Sequence, residues 1–377
     1  MKTVLASLIL FVVLFSCTTK KTEEAFEVKG FKYARLVSID QKLGYKELIV
    51  KNPKTLKVET RYALIPRNSK MKRPSGMKII EVPVQNMAAL STSFVGMLDA
   101  INSIETIKAT TEEQYISNKA LLKGIRAGKV LTAGYETGLT PDAVLKAKIP
   151  LIIFSGFGQP FPNEAKFSQL NVVCMANYDW EEMHPLGKAE WIKVFGALVC
   201  KDQEADKYFD QVEESYLKIK KEAAEIKNPK KVICGGLAGD VWYAPAGKSF
   251  MAGIMKDAGM DYFYKNTDGT ASLSLSFEQV FNDDQQCDIW INAEAPNLKQ
   301  LFAMNPKFQY FHTVLLGIEP GESALAPGRF REYCKRRNEV KLSFLQTSEI
   351  IYVEKTRDII GLVCGHYNNH NRVSAWR

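Results

Sequence analysis

The chain has 377 residues, 46% hydrophobic and 24% charged, a globular composition that excludes intrinsic disorder and leaves room for two or three domains of roughly 150 residues. Its 50 basic and 42 acidic side chains give a net charge of +8, too thin over this length, and with no Lys/Arg block in the body, to favour nucleic acid. The absence of any apolar stretch of about 20 residues excludes a polytopic membrane protein.

Lys2 precedes a run from Val4 to Phe15 that is apolar except for Ser7, too short to span a bilayer and built like a signal-peptide core. The run ends in Leu14-Phe15-Ser16-Cys17, which resembles a bacterial lipobox. That resemblance implies a signal peptide over 1–16, lipid on the Cys17 thiol and a polar tether over 17–26. Several acyl chains at about 0.8 kcal/mol per buried CH₂ hold a protein firmly on a membrane. The expected location is periplasmic and lipid-anchored, with the membrane not specified. The other cysteines, 174, 200, 234, 287, 334 and 364, are scattered without a C-x-x-C pair, so no zinc or iron–sulfur site is expected. Cys174, Cys200 and Cys234 stand in apolar surroundings and read as buried free thiols.

Alternation of Phe31, Tyr33, Val37 and Ile39 predicts a strand over 31–39. Lys46–Val50 and Arg61–Ile65 read as further strands of a hairpin-like opening, followed by a basic solvated loop, Arg67–Pro74. Apolar runs follow at Ile79–Val84 and Met87–Leu90. Ser91 then stands at an N-cap position ahead of Phe94, Met97, Leu98 and Ile101 at helical spacing. Strands and helices alternate through Lys129–Ala133, Asp142–Lys146, Leu151–Ser155, Glu164–Gln169 and Asn171–Ala176, the pattern of a largely parallel sheet. From Lys201 to Lys227, apolar residues recur every three or four positions from Ala205 to Ile226, and Asn228-Pro229 ends the run. This predicts one helix of about 26 residues, roughly 39 Å long. A second α/β pattern follows, with Lys231–Cys234 and Cys287–Asn292 as strands and helices at Ser249–Ala258 and from Phe277. Two α/β lobes joined by one long helix are therefore expected.

Familiar catalytic signatures fail. Cys234–Gly239 follows a strand but lacks dinucleotide-fold glycine spacing, and reads as a turn. Gly247-Lys248-Ser249 has Trp242 where a phosphate-binding loop needs glycine. His366 and His370 have no metal-site context and read as a surface pair, and the chain has only four histidines, none placed for a triad. No enzymatic chemistry, no cofactor and no metal site is expected.

Two stretches carry a resemblance: Ala176–Trp191, which holds Tyr178-Asp179-Trp180 and His184-Pro185-Leu186-Gly187, and Asp240–Phe250, continued by Asp257-Ala258-Gly259. Leu90–Ser93 and Ser274–Val280 support it. Over about residues 28–313 the chain is similar to the iron-siderophore, haem and cobalamin (vitamin B12) family of ABC-importer solute-binding proteins, in the lipoprotein form common in Bacteroidetes. The resemblance implies the class III periplasmic binding protein fold, two Rossmann-like α/β lobes joined by one long rigid helix. On this chain the pieces are an N-terminal lobe over 27–200, the helix over 201–228 and a C-terminal lobe over 229–314. Residues 315–377 form a tail that departs from the family, through divergence or a frameshift.

The resemblance implies a ligand cleft between the lobes, where aromatic residues pack flat ligand faces. The candidates are Phe157, Gln159, Tyr178 and Trp180 from the first lobe, and Trp242 and Tyr243 from the second. Core packing of Tyr178 and Trp242 is the alternative. A haem ligand would want a tyrosine such as Tyr178 or Tyr243. Family members also present an acidic residue on each lobe to permease arginines, and the matching positions are Asp142 and Glu278. A first-turn carboxylate at a helix dipole explains either residue equally. The implied function is a monomeric, lipid-anchored binder that hands a ferric siderophore, haem or cobalamin to an ABC permease with its ATPase. The aromatic bias leans toward a bulky near-neutral ligand. A surface lipoprotein without transport, or a defective product, are the other readings.

Overall fold

The computed structural model describes residues 30–133, 139–293, 295 and 298–315. The signal segment 1–16, Cys17, the tether to residue 26 and the tail beyond Leu315, with His366 and His370, lie outside the described residues.

The chain opens on a four-stranded sheet, β1 (Val37–Lys42), β2 (Tyr45–Lys51), β3 (Val58–Pro66) and β4 (Lys78–Val82). The first three strands pair antiparallel, and β4 joins β3 in parallel with Tyr62 opposite Lys78. The expected strand over 31–39 begins only at Val37. Its first half makes no ladder because two buried carboxylates from far along the chain take its N–H groups. Glu190 accepts from Lys32, Tyr33 and Ala34 at 2.7–3.0 Å, and Glu182 accepts from Arg35 and Leu36 at 2.9–3.0 Å. A backbone whose donors are satisfied this way does not need a neighbouring strand.

A parallel sheet follows, built from β5 (Met87–Ala89), α1 (Thr92–Ala100), β6 (Ile107–Thr110), α2 (Lys119–Arg126), β7 (Leu131–Thr132), α3 (Pro141–Lys146), β8 (Leu151–Ser155), α4 (Glu164–Gln169) and β9 (Val173–Asn177). Strand order is β7-β6-β5-β8-β9. The chain thus winds outward one way from β5, then crosses back to β8 on its other side. That reversal leaves a crevice at the C-terminal ends of β5 and β8, where open α/β sheets bind ligands. Both faces are covered, which is why β8 is apolar from Leu151 to Phe154: Leu151 and Ile153 join one core and Ile152 the other. Ser91 caps α1 with its side-chain oxygen as expected, and Thr140 does the same for α3.

Two short helices, α5 (Pro185–Glu190) and α6 (Ile192–Val199), lead into α7 (Asp202–Ala224), whose 23 residues span about 35 Å. Cys200 turns the chain between α6 and α7 in a left-handed conformation and is exposed, correcting its expected burial. Cys174 and Cys234 are buried, and burial pushes their thiols up to about 12.

The second lobe contains β10 (Lys231–Cys234), β11 (Gly236–Ala238), β12 (Val241–Pro245), α8 (Phe250–Asp257), β13 (Asp261–Tyr262), β14 (Ser272–Ser276), α9 (Phe277–Asp284), β15 (Ile289–Ile291), α10 (Leu298–Met304) and α11 (His312–Leu315). A parallel sheet β13-β10-β15 stands beside an antiparallel sheet β11-β12-β14. The fold is α/β, with two lobes bridged by α7. They also meet directly where the Lys188 ammonium of α5 lies 5.8 Å from the Phe250 ring of α8, and Tyr216 of the bridging α7 donates to Asp257 of α8 at 2.7 Å.

Candidate functional site

The loop after β8, beginning at Gly156, and the turn after β9 meet at the C-terminal edge of the five-stranded sheet. Gly156 donates its N–H to the Asn177 carbonyl at 2.9 Å, and its carbonyl accepts the Trp180 indole N–H at 3.1 Å. Only glycine fits here, because a Cβ would stand 2.3 Å from the Tyr178 ring. With the indole nitrogen fixed, the Trp180 ring lies against Phe157 at a centroid distance of 5.0 Å. Both rings face solvent, Phe157 at 53% exposure and Trp180 at 40%. Gln159 is exposed in the same loop. The structure thus brings Phe157 and Trp180 together as an aromatic platform, with Gln159 two residues along the same loop.

Tyr178 and Trp242 correct the sequence expectation. Tyr178 is 2% exposed, its ring turned inward over Gly156 and its hydroxyl donating to Glu59 at 2.8 Å. Burial raises its pKa, the hydrogen bond to the Glu59 carboxylate adds to this, and the hydroxyl is engaged with Glu59. Trp242 is fully buried among Trp290, Phe311 and Phe308 at 5.0–6.3 Å. Strand alternation explains this: Trp242 and Ala244 of β12 face the core, which leaves Tyr243 on the outer face at 46% exposure. Asp142 and Glu278 stand exposed in the first turns of α3 and α9, behind side-chain caps from Thr140 and Ser276. A groove of about 430 Å³ along α2 and a smaller one of about 150 Å³ beside β3 and β4 are lined by none of the expected cleft residues.

Three features escaped the sequence reading. Glu59 is the first, and its only signal was its place beside the turn-forming Asn52-Pro53. The second is the pair of buried carboxylates, Glu182 and Glu190, that hold the strap, residues 32–36 ahead of β1. The third is a pair of buried polar side chains flanking Tyr178. The Asn177 side-chain oxygen Oδ1 accepts the Asp179 N–H at 2.8 Å, while Asn177 Nδ2 and Asp179 Oδ2 have no hydrogen-bond partner among the described residues. Asp179 is 2% exposed. Burial pushes its carboxyl up from 3.8 to about 6, opposed by the Lys188 charge.

The stability consequence has a definite sign. Between about 4 and 6 the folded chain keeps the Asp179 proton that the unfolded chain has lost. Stability contributed by this group is present below its unfolded pKa and is lost as pH rises through about 6, worth at most about 3 kcal/mol. Urea unfolding of wild type and Asp179→Asn at pH 4 and pH 7 is expected to show the variant gaining on wild type by that order as pH rises. A difference independent of pH would mean that Asp179 titrates as an ordinary carboxyl.

His184 caps α5 by accepting the Leu186 N–H at Nδ1, 3.1 Å away, and stacks on Tyr33 at 4.8 Å. Burial lowers its pKa, against the pull of Asp257. Its place is structural, at the junction of strap, α5 and α7.

Comparison with known proteins agrees with this architecture. The family model described as periplasmic binding protein matches residues 87–314, from the first strand of the parallel sheet to the last described helix. An uncharacterised lipoprotein of Methanocaldococcus jannaschii is 26% identical over 300 residues, covering 76% of this chain and 68% of the relative. A second uncharacterised lipoprotein of that organism is 21% identical over 276 residues, covering 69% of each chain. Among solved structures, a periplasmic haem-binding protein of Vibrio cholerae superposes with a TM-score of 0.50 at 13% identity, over 68% of this chain and 99% of its own, a likeness of fold. With more than half of the chain matched and two α/β lobes bridged by α7, this chain belongs to the periplasmic binding protein family.

Proposed function

We propose that this chain is the lipid-anchored binding component of an ABC importer, not an enzyme, and that it captures a metal chelate at the C-terminal edge of its five-stranded sheet. The observation that carries this reading is the exposed Phe157–Trp180 pair beside the crevice where the strand order reverses. Large aromatic rings held in place by a backbone hydrogen bond, yet open to solvent, suit a flat apolar ligand face at little entropic cost. Gln159 supplies a polar group near that face, and Tyr243 presents an exposed ring on the second lobe. The haem-binding Vibrio protein of the same fold, and the lipoprotein relatives, support a chelate ligand and an anchor at Cys17. Asp142 and Glu278, one exposed carboxylate on each lobe, fit permease docking, where charge sets orientation and on-rate.

The test is binding by the soluble chain from Thr19 of hemin, cyanocobalamin and ferric siderophores, read by tryptophan quenching and calorimetry. One ligand is expected to bind below micromolar Kd, and Trp180→Ala to weaken it about 30-fold, the loss typical of a central aromatic anchor. Failure of a folded chain to bind any of them, or binding untouched by Trp180→Ala, overturns the reading.

A further inference from the structure

The four-stranded sheet β1–β4 lies before the residues that the family model matches, and its β2–β3 turn does not simply face away from the ligand edge. Lys78 of β4, opposite Tyr62 of β3, reaches the Cys174 carbonyl near the start of β9 at 3.4 Å. Glu59, earlier in β3, meets Tyr178 just past the end of β9 at 2.8 Å. β3 therefore runs antiparallel to β9, and the turn before it, residues 52–57, overhangs the same edge that carries Phe157 and Trp180.

The turn is fastened there. Glu59 accepts the Tyr178 hydroxyl with Oε1 and the Asn52 side-chain amide with Oε2 at 3.0 Å. The Asn52 side-chain oxygen Oδ1 in turn accepts the N–H groups of Lys54 and Thr55, each at 3.1 Å. A continuous run of contacts thus leads from the turn through Glu59, Tyr178 and Gly156 to Trp180.

What the turn displays is unusual for a solvated hairpin. Leu56 holds a left-handed backbone, φ 57°, where glycine or asparagine is favoured. It nevertheless leaves its side chain 53% exposed, and Val58 is 45% exposed. Packing within the fold repays neither. Lys54 and Lys57 flank them, exposed and with no carboxylate partner among the described residues. Strain held at an exposed apolar residue is a reason to look for a ligand.

Building on the reading above, we infer that the β2–β3 turn is a third wall of the ligand site, with Leu56 and Val58 meeting the apolar rim of the chelate and Lys54 and Lys57 meeting acidic groups on it. The ligand class is then an anionic chelate with flat apolar faces, not a near-neutral one. Glu59 is a positioning residue that couples the turn to Tyr178.

The experiment compares hemin, whose propionates are ionised, a ferric tris-catecholate and neutral cyanocobalamin on the soluble chain. Three variants are used: Leu56→Asn, the double variant Lys54→Glu with Lys57→Glu, and Trp180→Ala as control. Leu56→Asn relieves the backbone, so its Tm is expected to equal or exceed wild type while affinity for the bound anionic probe falls about tenfold. The double charge reversal is expected to weaken that probe more than tenfold at low salt, and less in high salt. A purely structural turn would not lose affinity while gaining stability. If Trp180→Ala abolishes binding but the turn variants leave every affinity unchanged, the third wall is overturned and the aromatic site stands. If cyanocobalamin alone binds, or Trp180→Ala has no effect, the inference falls as well.

Discussion

Replacing Glu190 by alanine is expected to lower the unfolding free energy by about 3–5 kcal/mol, the range for removing one partner of a buried charged pair. Glu190 is fully buried. It accepts the N–H groups of Lys32, Tyr33 and Ala34 and lies 3.1 Å from the Lys193 ammonium, itself 7% exposed. Truncation leaves three backbone donors without their acceptor, and leaves the ammonium only Asp206 at 3.7 Å and the Gly30 carbonyl at 3.3 Å. Each unsatisfied donor alone costs about 1–3 kcal/mol, so their sum would exceed the quoted range if the strap stayed in place. The strap is therefore expected to lift and hydrate its own amides, which caps the loss. Glu190→Gln keeps the shape and one acceptor oxygen but turns an amide toward the donors, and an intermediate loss is expected. Hydrogen exchange separates the pieces. Amides of Lys32, Tyr33 and Ala34 should lose protection, while Arg35 and Leu36 keep theirs through Glu182. A loss under about 1 kcal/mol with the strap still protected would show that water replaces the carboxylate as acceptor.

The strap also marks where the sequence stops being readable. Phe31, Tyr33, Val37 and Ile39 alternate as a strand does, and alternation reports which side chains are buried, not what the backbone donates to. Glu182 and Glu190, some 150 positions on, decide that. Elements with local signals were legible. α1, α3 and α9 have capping side chains, α7 has uninterrupted amphipathic spacing, and β8 and β9 are short apolar runs. α6 was not, because all eight of its residues are buried and no polar face marks its period. Within the site, Phe157, Gln159 and Trp180 were proposed on the family resemblance, and all three are exposed in loops that follow strand ends. Tyr178 shares that position, but Gly156 opens a space into which its ring turns, and nothing local announces that choice. Trp242 carried a usable signal in the two-residue alternation of β12, which pairs it with Ala244 and sets it apart from Tyr243.

Trp242→Ala is expected to cost about 3–5 kcal/mol of stability, with the effect on ligand binding following only from partial unfolding. The ring is the hub of an aromatic cluster. Trp290 and Phe311 lie 5.0 and 6.0 Å away on β15 and just before α11, and Phe308 meets it edge-on at 6.3 Å. Phe277 and Phe281 of α9 close the cluster against Phe311 at 5.6 and 5.7 Å. The indole N–H reaches the Cys234 carbonyl at 3.4 Å, a long bond that adds little beside the packing. Alanine leaves a cavity under both sheets of the second lobe, which rigid neighbouring rings cannot collapse to fill. Trp242→Phe keeps part of the volume and should lose less. Tyr243→Ala, next in the chain but on the outer face, should leave stability within about 0.5 kcal/mol. Phe308 and Phe311 make the segment before α11 part of the same core, so the damage should extend there, visible as lost near-UV circular dichroism and faster amide exchange from Lys307 to Val314. A Trp242→Ala protein of wild-type stability that no longer binds its chelate would return the ring to the ligand site. Equal losses of stability in Trp242→Ala and Tyr243→Ala would instead mean that β12 presents its other face to the core.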